Sequence, residues 1–141
     1  MRAAPVYILG GYQTDFAINY ARQNRGIVDI IVDTVRGALT DTKIAPEEIE
    51  VAHLGNFIGE LMCYQGHLGA FFLEADPAFS GLPTARHEAA CASGSIAALA
   101  AMAEIESGRY DVACVLGVEM ERNLSSTETG AHLGVAAWHA R

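Results

Sequence analysis

The positions of apolar and polar residues follow two periods along the chain, one typical of strands and one typical of helices. Four short apolar runs predict buried strands, at residues 6–9, 51–58, 84–90 and 112–118. Three stretches with apolar residues at helical spacing predict helices, at residues 27–42, 62–75 and 92–107. Because strands that alternate with helices build parallel sheets, the pattern predicts an α/β fold with a mixed, mostly parallel sheet flanked by helices.

The helix predicted at 92–107 is rich in alanine and is followed by Gly108, a residue that often ends helices. Four of its apolar residues lie at helical spacing and are predicted to be core, as in a helix between two sheets: Ile96, Leu99, Ala100 and Ala103. Residues 45–49 predict a short helical turn. The polar segment 120–134, rich in Ser and Thr, predicts a long loop.

Charge and apolar length limit the partners of the chain. The 141 residues include 9 Lys or Arg and 17 Asp or Glu, for a formal net charge of −8. Nucleic-acid binding needs a basic surface, so nucleic acid is not expected as a partner. The longest stretch without charge, residues 89–103, is shorter than the roughly 20 apolar residues of a membrane span. The N-terminus lacks the pattern of a signal peptide, and we expect a cytoplasmic protein with no membrane partner.

The three cysteines are odd in number and widely spaced, which favours free thiols over disulfides. Cys91 stands where a predicted strand turns into a predicted helix, and unpaired amides at a helix N-terminus stabilise a thiolate and a developing oxyanion. Cys91 is therefore a candidate nucleophile, and the alternative is a buried cysteine that packs as a small apolar residue. Cys63 and Cys114 are predicted to be structural.

Four segments of the chain resemble those of one enzyme family, at residues 9–16, 55–59, 88–94 and 116–120. In this order they are similar to the N-terminal portion of thiolases, the acetyl-CoA acetyltransferases and acyl-CoA C-acyltransferases of the thiolase-like superfamily. Two positions differ from the common pattern. Glu88 stands where many thiolases have Asn. Glu119 matches the glutamate of the family's Gly-Gly-Met-Glu motif, but Met120 follows it directly, whereas the family often has Met two residues after that glutamate.

The resemblance implies an N-terminal thiolase half-domain at 1–122 and the start of a truncated loop domain at 123–141. It implies that Cys91 attacks an acyl-CoA thioester, releases coenzyme A and holds the acyl group for transfer to a second acyl-CoA, or acts in the reverse thiolytic cleavage of a 3-ketoacyl-CoA. Glu119, which follows a predicted parallel strand, is then a candidate substrate-binding residue, as are His132 and Trp138. Coenzyme A enters as part of the substrate, and no cofactor and no metal are expected.

The Asn-Glu-Ala-Phe, Gly-His-Pro and Cys-Gly-Gly motifs of thiolases do not occur in these 141 residues. In the family they supply the activating His and the acid/base Cys, so the 141-residue chain alone is expected to be inactive in turnover. The resemblance implies a homodimer or tetramer, or a second subunit that supplies the missing half. The strand at 84–90 would contribute to the interface, and its uncovered edge predicts association of the isolated chain.

Two other functions stay open at this point. A ketoacyl synthase-like condensing enzyme has a cysteine at the same junction, and a non-catalytic acyl-CoA-binding subunit of a split thiolase complex needs no reactive thiol. His87 is not favoured as the base for Cys91, because a turn separates the two residues. A zinc site is not favoured either, because a strand and a helix separate its three candidate ligands, His53, Cys63 and His67.

Overall fold

The sheet of the protein, seen in a computed structural model that describes residues 5–138, has three strands. They are β1 (Val51–Gly55), β2 (Thr84–His87) and β3 (Ala113–Gly117). The order is β2-β1-β3, both pairs are parallel, and His53 of β1 lies opposite Ala85 and Val115. The predicted α/β class with a parallel sheet flanked by helices is confirmed. β1 and β2 both end sooner than predicted, so the residues after them are free to form loops.

Residues 5–138 also form five α-helices: α1 (Ile27–Thr42), α2 (Gly59–Cys63), α3 (Phe72–Ala75), α4 (Ser93–Glu106) and α5 (Ser126–Leu133). Short 3-10 turns link these elements, at Ala21–Gln23, Pro46–Glu48, Leu68–Phe71, Pro77–Phe79, Ala90–Ala92 and Gly134–Ala136. The predicted turn near residues 45–49 is thus present. No helix among residues 5–138 is both long and apolar enough to cross a lipid bilayer.

α1 covers one face of the sheet and has the bounds that its periodicity predicts. Ile27, Ile31 and Val35 lie one helical turn apart and are all buried. They share a cluster with Leu54 and Leu116, which point from β1 and β3 to the same face. Burying such side chains stabilises the fold by about 1.5–3 kcal/mol each, which explains why the pattern alone located this helix.

α4 covers the opposite face and corrects the predicted core. The residues of α4 that are buried are small, Ser93, Ala97 and Ala101. Ile96 and Leu99, which were expected in the core, are 41% and 57% exposed. Because α4 is apolar on all sides, periodicity could not show which side would pack, and small side chains allow the closest approach to the sheet.

The strand predicted at residues 6–9 is wrong. This segment has no regular secondary structure, and Ile8 is 96% exposed. Its sequence suits a strand, but a strand forms only where another strand edge pairs with it, and no such pairing occurs within residues 5–138. The segment is held instead through Tyr12, whose ring lies over Gly37 of α1 and leaves no room there for a Cβ.

The helix predicted at 62–75 is broken into α2, a 3-10 turn and α3. Tyr64 and His67 have φ angles of 53° and 55°, in the left-handed region that ends helices. Gly69 lies against Thr84, and a Cβ there would come within 2.9 Å of the Thr84 hydroxyl. The two left-handed residues change the direction of the chain twice, and the segment that follows them packs closely against β2.

The loop predicted at 120–134 is also wrong, because most of it is α5. The Glu128 amide donates to the Ser125 hydroxyl at 3.3 Å, and the Ser125 amide donates to the Glu128 carboxylate at 3.1 Å. This reciprocal capping box satisfies amides that a helix start leaves unpaired. The Ser-x-x-Glu spacing that marks it was present in the sequence and outweighed the polar composition.

Candidate active site

The carboxyl ends of the three parallel strands meet at one edge of the sheet, where sites of α/β proteins commonly lie. Asn56, which follows β1, is fully buried and ties this edge together. Its side-chain amide donates to the Val118 carbonyl at 2.8 Å, and its side-chain oxygen accepts from the Gly59 amide at 3.0 Å. The ends of β1 and β3 and the start of α2 are thus fixed relative to one another.

Cys91 lies at this edge, in the 3-10 turn between β2 and the start of α4, and is exposed. The turn is wrapped around Ser93, whose hydroxyl accepts from the Ala89 amide at 2.9 Å and donates to the Ala90 carbonyl at 2.7 Å. Ala90 has a φ of 48°, which is uncommon for a residue with a Cβ. The side chain of Cys91 is accordingly presented to solvent on a backbone that several hydrogen bonds hold in place.

Gly55 explains how the start of α4 comes so close to the sheet. A Cβ at this last residue of β1 would lie 2.6 Å from the backbone nitrogen of Gly94. Only glycine allows that approach, so the first turn of α4 rests directly on the end of the central strand. This packing role of Gly55 has no signal in the local sequence, because the atoms that Gly55 meets belong to Ser93 and Gly94.

Glu119 follows β3 at the same edge, and its carboxylate accepts a hydrogen bond from the Phe57 amide. Burial of the carboxyl raises the pKa of Glu119, and the hydrogen bond from Phe57 opposes this rise. Cys91 follows β2 and Glu119 follows β3, the two strands on either side of β1, so both residues lie at the carboxyl end of the sheet.

The other two cysteines have different surroundings. Cys63 ends α2 and is half-buried, and burial together with the charge of Glu119 raises the pKa of its thiol. Cys114 lies within β3, where burial raises its pKa to about 11. Thiolate formation at neutral pH is disfavoured at both positions. Cys91 differs from Cys63 and Cys114 because its side chain is exposed and lies just before a helix start.

His132 and Trp138 lie away from the strand ends in sequence and belong to the α5 region. His132 is half-buried in the last turn of α5, and Trp138 is 94% exposed beyond the turn Gly134–Ala136. Residues next to α5 contact α2, since the Asn123 side chain donates to the Met62 carbonyl. The roles of His132 and Trp138 in binding substrate stay predictions.

An ion pair near the strand ends was not found from the sequence. The guanidinium of Arg86 in β2 binds the Glu60 carboxylate through both terminal nitrogens and also donates to the Phe57 carbonyl at 3.1 Å. Arg86 lowers the pKa of Glu60. The pair holds the start of α2 against β2, and nothing in the local sequence pattern indicates it.

The three residues considered for zinc do not come together. His53 is buried between the sheet and α4, where it contacts His87 and Glu104, and Cys63 lies beside Met120. Among residues 5–138, no three His, Cys, Asp or Glu side chains are arranged to hold a metal ion. The imidazole of His87 is hydrogen-bonded through its Nε2 to Nδ1 of His53.

The chain is similar to known proteins along most of its length. The family model of the thiolase N-terminal domain matches residues 6–137. The chain therefore belongs to the thiolase family.

Two curated relatives are similar to most of the chain. An acetyl-CoA acetyltransferase of Methanocaldococcus jannaschii is 36% identical over 115 residues, which are 81% of this chain and 28% of the relative. An acetyl-CoA acetyltransferase of Methanothermobacter thermautotrophicus is 31% identical over 115 residues, 81% of this chain and 29% of the relative. The chain thus spans less than a third of the length of either relative.

Proposed function

We propose that this chain carries the nucleophile of a thiolase-type acyltransferase that moves an acetyl or acyl group between coenzyme A thioesters. The observation that supports the proposal most strongly is the position of Cys91. It is an exposed thiol in the turn before α4, at the carboxyl edge of a parallel sheet, in a chain whose family is the thiolases.

In the proposed reaction, the Cys91 sulfur attacks the carbonyl carbon of an acyl-CoA, and the carbon–sulfur bond to coenzyme A breaks. The acyl group remains on Cys91 as a thioester, and coenzyme A leaves as a thiol after taking up the proton that Cys91 lost. We propose that backbone amides in the first turn of α4 hold the oxyanion that forms on the carbonyl. Small neighbours, Ala90 and Ala92, leave space for the acyl group.

The acyl group then passes to the α-carbon of a second acyl-CoA, which forms a carbon–carbon bond and restores the Cys91 thiol. The second step needs a base to remove a proton from that α-carbon. The thiolase motifs that supply the base do not occur in these residues, so we propose that the 141-residue chain forms the acyl-enzyme without completing turnover. The proposed partners are a second copy of this chain in a homodimer or tetramer, or a second subunit, and only the second subunit could supply those motifs.

Glu119, His132 and Trp138 are proposed to contact the acyl-CoA. Glu119 is the best supported of the three, because it lies on the same edge as Cys91 and its carboxyl is partly desolvated. No separate cofactor is proposed, because coenzyme A arrives with the substrate. The cytoplasmic location also stays a proposal.

Mass spectrometry after brief exposure to acetyl-CoA tests the proposal. We expect a mass gain of one acetyl group, mapped to the peptide that contains Cys91. Cys91→Ser should abolish the gain, and the matched variant Cys63→Ser should retain it. Acetylation that maps equally to Cys63, or that persists in Cys91→Ser, would contradict the assignment and favour a non-catalytic acyl-CoA-binding subunit.

Malonyl-CoA in place of acetyl-CoA as the second substrate separates the two condensing-enzyme classes. This arm uses the chain together with a partner that carries the missing motifs. A product formed from two acetyl groups supports the thiolase class. A product formed only with malonyl-CoA would indicate the ketoacyl synthase-like alternative.

A further inference from the structure

Three side chains that the proposed reaction does not use form a hydrogen-bonded chain between the sheet and α4. His53 lies in the middle of β1, His87 at the end of β2, and Glu104 in the last turn of α4. Nδ1 of His53 is 2.8 Å from Nε2 of His87, and Nε2 of His53 is 3.0 Å from a carboxylate oxygen of Glu104. The side chain of His53 is only 4% exposed, so these two partners satisfy its ring nitrogens.

The order of the contacts fixes where the ring protons lie. An ionised Glu104 only accepts, so Nε2 of His53 carries the proton that it donates. Nδ1 of His53 is then an acceptor, and Nε2 of His87 donates to it. Both rings are therefore Nε2–H tautomers when they are neutral.

The same geometry allows the cluster to take up one proton and not two. A proton added to Nδ1 of His87 leaves both hydrogen bonds intact. If both rings were cationic, an N–H group would stand on each side of the 2.8 Å contact and the two would repel. The two rings thus titrate as a pair.

The groups that face His87 come from the elements packed on β2. They are His53 from β1 and Glu104 from α4, while the turn Leu68–Phe71 brings no titratable side chain. Arg86, the neighbour of His87 in β2, pairs with Glu60 instead. Burial and the neighbouring His53 lower the pKa of His87, and Glu104 opposes them.

The cluster joins the two elements that hold Cys91. β2 ends at His87, before the Cys91 turn, and α4 begins at Ser93, directly after it. His53 connects them from the central strand. His87 lies four residues before Cys91, so a change in charge within the cluster acts on the β2 side of the turn, while Glu104 ties the far end of α4 to the sheet through His53.

We propose that His53, His87 and Glu104 form a one-proton relay that positions the Cys91 turn and makes the reactivity of the Cys91 thiol depend on the relay's protonation. The importance of this relay for catalysis rests on the proposed function of Cys91. The member of the relay that comes next to the turn in the chain is His87, four residues before Cys91, and the positive charge gained there favours the Cys91 thiolate. As pH falls through the midpoint of the relay, the reaction of Cys91 with an alkylating agent slows less steeply than ionisation of a lone thiol requires.

Nitrogen-15 NMR of the histidine rings in the full chain tests the relay itself. At neutral pH we expect Nε2–H tautomers for His53 and His87, and uptake of one shared proton with a midpoint below the ordinary histidine value of about 6.5. Glu104→Gln keeps an acceptor but removes the charge, and should lower that midpoint. Glu106→Gln, the same change on the exposed side of α4, should not. An Nδ1–H tautomer at either ring, independent titration of the two rings, or an unmoved midpoint in Glu104→Gln overturns the proposal.

The rate of Cys91 alkylation by iodoacetamide, followed against pH by peptide mapping, tests the coupling. We expect a break in the profile at the NMR midpoint, shifted to lower pH in Glu104→Gln and unshifted in Glu106→Gln. A profile that follows one thiol ionisation in all three proteins overturns the positioning role. Iodoacetamide needs no coenzyme A thioester, so failure of acetylation and failure of the relay give distinguishable results.

Discussion

At the residue scale, the environment of each side chain decides its chemistry. Cys91 and Cys114 have the same functional group, yet Cys91 is exposed beside a helix start, and Cys114 is half-buried in β3 with a pKa raised to about 11. Glu60 and Glu119 also share a functional group, yet the pKa values of their carboxyl groups shift in opposite directions. Arg86 lowers the pKa of Glu60, whereas burial raises that of Glu119. None of these differences is visible in composition.

The raised pKa of Glu119 predicts how the stability of the chain depends on pH. The folded state holds this proton more tightly than the unfolded state does, so the contribution is full below the ordinary carboxyl pKa and is lost as pH rises through the raised value. Glu119→Gln keeps an acceptor for the Phe57 amide and removes the charge. We expect a higher melting temperature than wild type at neutral pH and no gain in acid.

Thermal unfolding of both proteins across the acid-to-neutral range measures this effect. Glu106→Gln, at an exposed position of α4, is the matched control and should follow wild type. A melting temperature of Glu119→Gln at or below that of wild type at neutral pH would show that the carboxylate is not penalised by burial.

At the scale of helices and strands, the sequence correctly predicted those elements whose apolar residues repeat with one regular spacing and all face the core. α1 was located because Ile27, Ile31 and Val35 repeat at one turn and all face the core. The helix at 62–75 was predicted in one piece because left-handed conformations at Tyr64 and His67 are not marked by glycine. α5 was missed although Ser125 and Glu128 form its capping box.

Contacts between distant residues could not be predicted from local pattern. His53 and Glu104 are 51 positions apart, and His53 and His87 are 34 positions apart. They meet because β1, β2 and α4 pack together, and this depends on the whole fold. The position of Cys91 in the chain fold was predictable for the opposite reason, since the strand-to-helix junction that contains it is contiguous in sequence.

The contact between the end of β1 and the start of α4 predicts the effect of Gly55→Ala. The added Cβ would meet backbone atoms of Ser93 and Gly94 at 2.6 Å, and backbone cannot rotate away as a side chain can. We expect a loss of about 2 kcal/mol in the free energy of unfolding, measured by urea denaturation.

Gly130→Ala is the control for this change. Gly130 lies within α5 with no atom near its Cβ position, so alanine there should stabilise the helix by up to about 1 kcal/mol. If Gly55→Ala unfolded at the same urea concentration as wild type, the start of α4 would not rest on β1 as described.

At the scale of the whole molecule, one face of α4 is uncovered. Ile96, Leu99 and Met102 are 41%, 57% and 41% exposed on successive turns of this apolar helix. β2 also lies at an edge of the sheet among the described residues. Exposed apolar patches and free strand edges both favour association, which agrees with the expectation that the isolated chain self-associates.

Leu99→Lys tests the contribution of this face. We expect a lower average mass in light scattering than wild type, with the free energy of unfolding changed by no more than about 0.5 kcal/mol because the residue is exposed. Tyr64→Lys, at a position that is 87% exposed and outside α4, should leave the mass unchanged. Equal masses for Leu99→Lys and wild type would show that α4 does not mediate association.

We expect the fold to make Cys91 the most reactive thiol of this chain. The most direct measurement is the rate at which each of the three cysteines reacts with a small maleimide in the folded protein at neutral pH, followed by peptide mapping. We predict that Cys91 reacts at least about tenfold faster than Cys63, and that Cys114 reacts only after unfolding. Labelling of Cys63 or Cys114 as fast as Cys91 would contradict the account.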